Sequence, residues 1–346
     1  MRYVPIVKVK PGMELGKNIY DGEGRILWER KLCLKKDDVQ KLFYMEFPGI
    51  YVEDEFSGGL KIPQMISTDL RREALRLVHD LFRDDMLAEI QQDDIQEVAR
   101  KIVKEVLAHS EYTYNMIDTK VQDDYTYFHS VNVAVLSTML GAACNLDLEG
   151  LNVLAAAALL HDIGKRYVEP DVLNAKRVLT EEERILVVQH PKLSYDFLVE
   201  HYDFLPEVCE GVLEHHEWYN GCGYPMRKSG SDISDYARMI KIADVFDALT
   251  SKLPYHDPIS PSGAIDYIMA NTGAEFDSDF VDIFTQKIAI YPVGCVVALS
   301  DGSRALVVEN DSEFMLRPKV KMESDGRIVD LRAEEAQDLA VLDLLI

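Results

Sequence analysis

The chain has 346 residues, of which 47% are hydrophobic and 28% charged, with a formal net charge of −23. That length allows a well-buried core and two or three domains, and the composition excludes fibrous and disordered classes. The acidic balance excludes binding to a DNA or RNA duplex through a broad basic surface, which works by neutralising phosphates. Any attraction for an anionic ligand must therefore be local, from bound metal ions or a few lysines and arginines.

The longest apolar run near the centre, Val153 to Leu160, is far short of the roughly 20 residues that cross a bilayer, and the N-terminus has no apolar signal core. The expectation is a cytoplasmic protein without membrane insertion. Five scattered cysteines (Cys33, Cys144, Cys209, Cys222, Cys295) form no CxxC pair, so they read as free thiols.

Residues 1–65 alternate short apolar runs with the turn signals Pro11-Gly12, Asp21-Gly22 and Gly58-Gly59, and predict a small β-rich module with one helix near Lys36 to Phe43. Residues 66–111 turn helical, with Ala74, Leu77, Val78 and Leu81 at i, i+3, i+4, i+7 spacing, and are expected to connect. Residues 112–286 read as almost wholly helical, with loops at Gly164 to Asn174 and Tyr219 to Ser234. After Tyr291-Pro292-Val293-Gly294 the pattern is strand-like again, with Asp301-Gly302 as a tight turn, so 287–346 is expected to be a second small β-rich module.

The central block carries the chemistry. Only nine histidines are present, and five of them, His129, His161, His190, His215 and His216, fall in short motif-like contexts between positions 129 and 216. His129 opens an apolar helix, and His161-Asp162 ends another that is apolar almost all round, where the turn at Gly164 lets adjacent side chains share one cluster. His190 follows the helix Glu181 to Val188, and Asp244 lies inside the apolar run Met239 to Leu249. A buried aspartate needs a partner, and a metal is a good one. Any one of these histidines alone is more often a hydrogen-bonded core residue; the joint pattern is what points to metal. Such a donor set suits two transition metals such as iron or manganese better than one closed zinc site, and Asp162 can bridge them. His79, His109, His201 and His256 lack this context and read as structural or surface residues.

The motifs Tyr125 to Ala134 around His129, His161-Asp162-Ile163-Gly164-Lys165, His190-Pro191, His215-His216-Glu217 running into Asn220-Gly221-Cys222-Gly223-Tyr224-Pro225, and Ala243 to Ser251 around Asp244 resemble, in order and spacing, the signature of HD-GYP domains. The resemblance covers 112–286. It implies a mainly α protein, an all-helical HD-type domain flanked by β-rich modules, holding two and in some members three metals. It further implies a phosphodiesterase that hydrolyses cyclic di-GMP to pGpG or GMP through a metal-bridging hydroxide. By position, His129, His161, Asp162 and Asp244 would hold one ion and Asp162 would bridge to a second held by His190, His215 and His216. Asp162 and Lys165 would be catalytic, with Lys165 touching a phosphate, and Gly223, Tyr224 and Pro225 would form a partner loop for GGDEF-domain cyclases.

The chain also departs from the family pattern. Asn220 stands where Asp is usual, and Lys252-Leu253-Pro254-Tyr255-His256 replaces Asp-Arg-Pro-Tyr-Arg, so two arginines expected to grip the substrate become Leu253 and His256. Tyr255 remains as a substrate contact, and Lys176 and Arg177, in an altered Asn174-Ala175-Lys176-Arg177 stretch, are expected to supply replacement charge. Asp123, Asp124 and Tyr125 occupy the region where some members place a third-metal glutamate, which favours two ions over three. The missing arginines raise two alternatives: preference for pGpG or another cyclic dinucleotide, or a catalytically weak metal-bound interaction module.

Overall fold

The computed structural model describes residues 1–21, 25–83, 89–109, 114, 125–252, 257–311 and 314–345. The N-terminal segment forms β1 (Arg2–Pro5), β2 (Glu14–Leu15), β3 (Ile19–Tyr20), β4 (Ile26–Trp28), α1 (Lys36–Tyr44) and β5 (Gly49–Glu53). β5 lies between β1 and β2, antiparallel to both, with Tyr3 opposite Tyr51; β3 and β4 form a separate hairpin.

The helical block is built from α2 (Thr68–Leu81), α3 (Gln92–Ala108), α4 (Tyr125–Ala143), α5 (Leu148–Leu160), the short α6 (Pro170–Leu173), α7 (Glu181–Val188), α8 (His190–His201), α9 (Pro206–Glu214), α10 (Asp235–Thr250), α11 (Pro261–Ala270) and α12 (Ser278–Thr285). α4 and α5 pack side by side at its centre, flanked by α2, α3, α9 and α10. α5 is apolar on every face over Val153 to Leu160, and ten of its thirteen residues are buried. α2 caps its N-terminus with Ser67, whose hydroxyl accepts from the Leu70 amide, and buries Leu70, Ala74, Leu75, Val78 and Leu81. Those side chains and the buried stripe of α3 join one cluster with α4 and α5, so the segment expected to connect also builds the helical core. No helix among the described residues is long and apolar enough to cross a membrane.

The C-terminal segment forms a five-stranded antiparallel sheet of β6 (Val296–Leu299), β7 (Arg304–Glu309), β8 (Lys319–Met322), β9 (Ile328–Asp330) and β10 (Val341–Leu344), ordered β10-β6-β7-β8-β9. It is not a separate body from the N-terminal strands. Tyr3, Tyr51 and Ile62 share one buried cluster with Val293, Cys295, Val297 and Leu299, the Tyr3 amide donates to the Gly294 carbonyl at 2.8 Å, and Lys321 Nζ donates to the Phe56 carbonyl. The two ends of the chain thus close on each other beside the helices.

A Leu299→Ala change removes a side chain that is 1% exposed in this shared cluster, and should cost about 2–4 kcal/mol of unfolding free energy. Because the cluster is shared, amide exchange should rise in β1 and β5 as well as in β6. Unchanged protection of β1 and β5 would mean that the two ends are stabilised separately.

Candidate metal centre

Four helix ends and one helix middle bring the seven expected ligands together. His129 lies in the first turns of α4, His161 and Asp162 follow the last residue of α5, His190 opens α8, His215 and His216 follow α9, and Asp244 sits inside α10. His129, His161, Asp162, His190 and His215 are at most 1% exposed, and Asp244 is 7%. His190, His215 and His216 place one ring nitrogen each within 4.8 Å of one another, and a ring nitrogen each of His129 and His161 and a carboxylate oxygen of Asp162 lie within the same distance of one another.

Asp162 stands between the two groups. Its Oδ2 is 3.4 Å from His161 Nε2 and 3.7 Å from His129 Nε2, while its Oδ1 is 3.1 Å from His190 Nε2. On the other side of His129, Asp244 brings Oδ1 to 3.0 Å of Nε2 and Oδ2 to 4.0 Å of His216 Nε2.

The tautomers follow from what the other ring nitrogen touches. Nδ1 of His161, His190 and His215 faces the carbonyl three residues earlier, of Ala158 (2.8 Å), Val187 (2.6 Å) and Val212 (2.6 Å). A carbonyl only accepts, so Nδ1 carries the proton and each Nε2 turns a lone pair inward. His190 Nε2 and His215 Nε2 then stand 3.2 Å apart as two acceptors, and His190 Nε2 faces Asp162 Oδ1 in the same way. His161 Nε2 and Asp162 Oδ1 are buried without a hydrogen-bond partner. Acceptors converging on acceptors in a buried space is the signature of a cation site, and imidazole with carboxylate is a donor set that fits divalent transition metals.

The protonation states agree. Burial, reinforced by neighbouring imidazoles, pushes His215 and His216 well below the ordinary histidine range, and burial also lowers His190 against the pull of Asp162. Burial disfavours the charged form of Asp162 and Asp244 too, but it is outweighed, by the Lys165 charge at Asp162 and by the His129 hydrogen bond and charge at Asp244, and both carboxyls are held well below their usual value. His129 is the exception: burial disfavours its charge, yet Asp244 and Asp247 outweigh that and hold it up to about 9.

Several residues of this centre carry no weight in the sequence reading. Asp247, three residues after Asp244 on α10, accepts from His129 Nδ1 at 2.8 Å and from Asn132 Nδ2 at 2.8 Å, orienting the ring as carboxylate–histidine pairs do in metal sites. The D-x-x-D spacing on a buried helix was the available signal. Ser194, one turn after His190, accepts from the Gly164 amide (2.8 Å) and donates to the His161 carbonyl (2.9 Å), tying the turn after α5 to α8. A Cβ at Gly164 would lie 2.2 Å from the His190 carbonyl, so only glycine allows these two ligand-bearing segments to meet.

The Gly223-Tyr224-Pro225 loop packs inward. Tyr224 stacks on His216 at 4.8 Å with 16° between rings, its amide donates to the His216 carbonyl, and a Cβ on Gly223 would come 2.2 Å from the Trp218 amide nitrogen. Glu217 accepts from the Met226 amide, and Glu214, buried, takes Lys228 Nζ and the Ser234 amide, which pins both ends of the loop. These contacts support the His216 ring directly.

The expected substrate contacts are placed differently. Lys165 Nζ lies 2.5 Å from Asp162 Oδ2, beside the cluster. Arg177 forks onto Glu183 with two 2.7 Å bonds, and Lys176 pairs with Glu46 at 3.2 Å. Glu46 also pairs with Lys252 at 3.3 Å, so the N-terminal module reaches the loops on both sides. Leu253, Tyr255 and His256, like Asp123 and Asp124, lie outside the described residues. Of the histidines set aside, His79 pairs with Asp80, His109 with the Glu105 carbonyl, and His201 packs on Phe197.

Metal-free protein taken from about pH 8 to about pH 5 is expected to lose thermal stability below about 6.5, because the unfolded chain takes up protons at His190, His215 and His216 that the folded chain refuses. His129 acts in the opposite sense, its contribution fully present below 6.5 and lost as pH rises through about 9. Asp162 and Asp244 contribute throughout this window, since their stabilisation is lost only as pH falls below the ordinary carboxyl value of 3.8. A His215→Gln variant should flatten the acid slope of the melting temperature; an unchanged slope would contradict neutral imidazoles in the folded state.

A family model described as the HD domain matches residues 85–280. Over 248 residues the chain is 35% identical to a cyclic di-GMP phosphodiesterase of Pseudomonas aeruginosa, an alignment covering 71% of this chain and 59% of that protein. It is 26% identical over 212 residues to the cyclic di-GMP phosphodiesterase PdeB of Borreliella burgdorferi (61% and 56% covered). With a 3′3′-cGAMP-specific phosphodiesterase of Vibrio cholerae it shares 30% identity over 190 residues (55% and 43% covered). The chain thus spans less than two thirds of each of these relatives.

Proposed function

Since the chain belongs to the HD domain family, we propose that it is a metal-dependent phosphodiesterase acting on a cyclic dinucleotide, with cyclic di-GMP as the leading substrate. The observation that carries this reading is the pair of buried ligand groups, His129-His161-Asp162 and His190-His215-His216, with Asp162 presenting one oxygen to each. In the proposal His129, His161, Asp162 and Asp244 hold one divalent ion and Asp162, His190, His215 and His216 a second, with iron or manganese suiting these donors. Two ions held so would supply an acidified water and neutralise charge on the phosphoryl oxygens.

The chain's own groups do the rest. His161, His190 and His215 keep their protons on Nδ1 against backbone carbonyls, so the inward lone pairs are fixed before any ligand arrives. Asp247 holds the His129 proton at Nδ1 in the same manner. The Lys165 ammonium, paired with Asp162 at the edge of the cluster and 20% exposed, is placed to stabilise an extra negative charge on a phosphate entering there. A cation fixed at that edge acts by stabilising charge, so its role is electrostatic. Water adds across one P–O3′ bond, leaving a 5′-phosphate and a 3′-hydroxyl; one cut yields pGpG and a second yields GMP.

A second reading changes the base, not the chemistry. Leu253 and His256 stand where arginines would grip the substrate, and one relative is a cGAMP-specific enzyme. Both favour testing other cyclic dinucleotides beside cyclic di-GMP.

The test is chromatography of the products formed by protein purified without oxygen and loaded with iron or manganese, with metal-stripped protein as the control. Metal-dependent pGpG or GMP is expected. Asp162→Ala should lose bound metal by elemental analysis and turnover by more than about 100-fold. Hydrolysis retained in that variant would sink the site, and intact cyclic dinucleotides with two metals bound would sink the activity.

A further inference from the structure

The N-terminal module and the helical domain enclose a cleft of about 760 Å³, and none of the metal-cluster residues lines it. Its size is that of a small-molecule site. From the N-terminal side come Lys17, Arg30, Lys31 and Lys61; from the helical side comes Arg71 of α2. Three carboxylates, Glu14, Glu53 and Asp69, share the walls, and Glu53 already accepts from Ser57 Oγ (3.1 Å) and the Gly59 amide (3.2 Å). Five cations against three anions is a local reversal of sign on a chain of net charge −23. A concave site with such a reversal concentrates anions. Thr68 and Asp69 open the fourteen-residue α2, so the positive end of that helix also meets the cleft. Tyr20 and Phe128 add aromatic wall, the surface on which a planar base packs.

What sets this cleft apart is its floor. Arg71 Nη1 donates to Asn132 Oδ1 at 2.7 Å, Asn132 Nδ2 donates to Asp247 Oδ1 at 2.8 Å, and Asp247 Oδ2 accepts from His129 Nδ1 at 2.8 Å. The amide of Asn132 has one orientation, because a cation faces its oxygen and a carboxylate faces its nitrogen. Asn132 and Asp247 are fully buried, so the line from the cleft to the ligand His129 is shielded from water throughout.

We propose that this cleft is a regulatory site for a phosphorylated nucleoside, whose phosphate engages Arg71 and its neighbouring cations and so biases the hydrogen-bonded line Arg71–Asn132–Asp247–His129. The binding part stands whether or not the metal cluster hydrolyses anything. The coupling part needs only that His129 faces the metal site.

The test uses the full chain, both chelator-stripped and as an Asp162→Ala variant, titrated calorimetrically with GDP, inorganic phosphate and guanosine. One GDP is expected to bind per chain in both forms, with phosphate and guanosine each at least about 10-fold weaker, and Lys31→Glu with Lys61→Glu should weaken GDP by about 10-fold or more. Absence of GDP binding in the stripped protein, or binding indifferent to the two charge reversals, overturns the site; phosphate binding as tightly as GDP overturns the nucleoside assignment. Coupling is read in metal-free protein with labelled histidines: GDP should shift the His129 ring resonances, and Arg71→Gln should abolish that shift while GDP still binds. A His129 signal that ignores saturating GDP overturns the line. Because no readout involves turnover, failure here and failure of the phosphodiesterase reading remain distinguishable.

Discussion

Five imidazoles and two carboxylates converge at one point of an apolar helical core, all but His216 buried, with the Nε2 lone pairs of His190 and His215 turned toward each other. Burying polar groups in that way is costly unless something compensates, and most of the local structure can be understood as enforcing the arrangement. The carbonyls of Ala158, Val187 and Val212 fix three rings, Asp247 fixes a fourth, and Tyr224 stacks on the fifth. Ser194 and the missing Cβ of Gly164 bring α5 and α8 close enough for Asp162 to stand between the two histidine groups. A folded chain that fixes its ligands so firmly pays little reorganisation when a cation enters.

The same constraint explains why the helices around the centre are so apolar. α5 carries few polar side chains, and a low-polarity surround strengthens each charge interaction inside it. It also explains the opposed protonation preferences. His190, His215 and His216 lie among other imidazoles and are kept neutral, whereas His129 lies between Asp244 and Asp247 and holds its proton up to about 9. A cation entering beside His129 must displace a proton, and one entering beside the other three meets lone pairs already exposed.

The clustering of these seven side chains was legible in the sequence because each lies in a short motif whose neighbours also pack at the cluster, so adjacency in sequence stood in for adjacency in space. What escaped was what depends on distant partners. Asn132 and Arg71 are 61 residues apart, and neither alone suggests the bond that joins them. Ser194 looks like any helical serine until Gly164 is seen against it. The two β-rich ends could be read as strands from alternation and turns, but nothing local announces that Tyr3 hydrogen-bonds Gly294 or that both ends share a core. The sequence offers Arg177 and Lys176 as charge for a substrate, and the structure engages them with Glu183 and Glu46, the former through the same carboxylate that completes the α7 capping box.

The loop at Gly223-Tyr224-Pro225 shows how a conspicuous motif can serve the interior. The family resemblance implies a partner face at this loop, and Tyr224 and Pro225 do stay partly exposed. In the fold, glycine is demanded by the Trp218 backbone, and tyrosine by the His216 ring beneath it. Glu217, the residue after the paired histidines, holds the loop down through the Met226 amide. The chain therefore passes from the His215-His216 pair to the Glu217 anchor to the stacked Tyr224 ring within ten residues, and a change in the loop reaches His216 without crossing the core. Since the candidate ligands come from five separate helical segments, no part of the chain holds the set alone, and a cation held there would depend on the integrity of the whole helical domain.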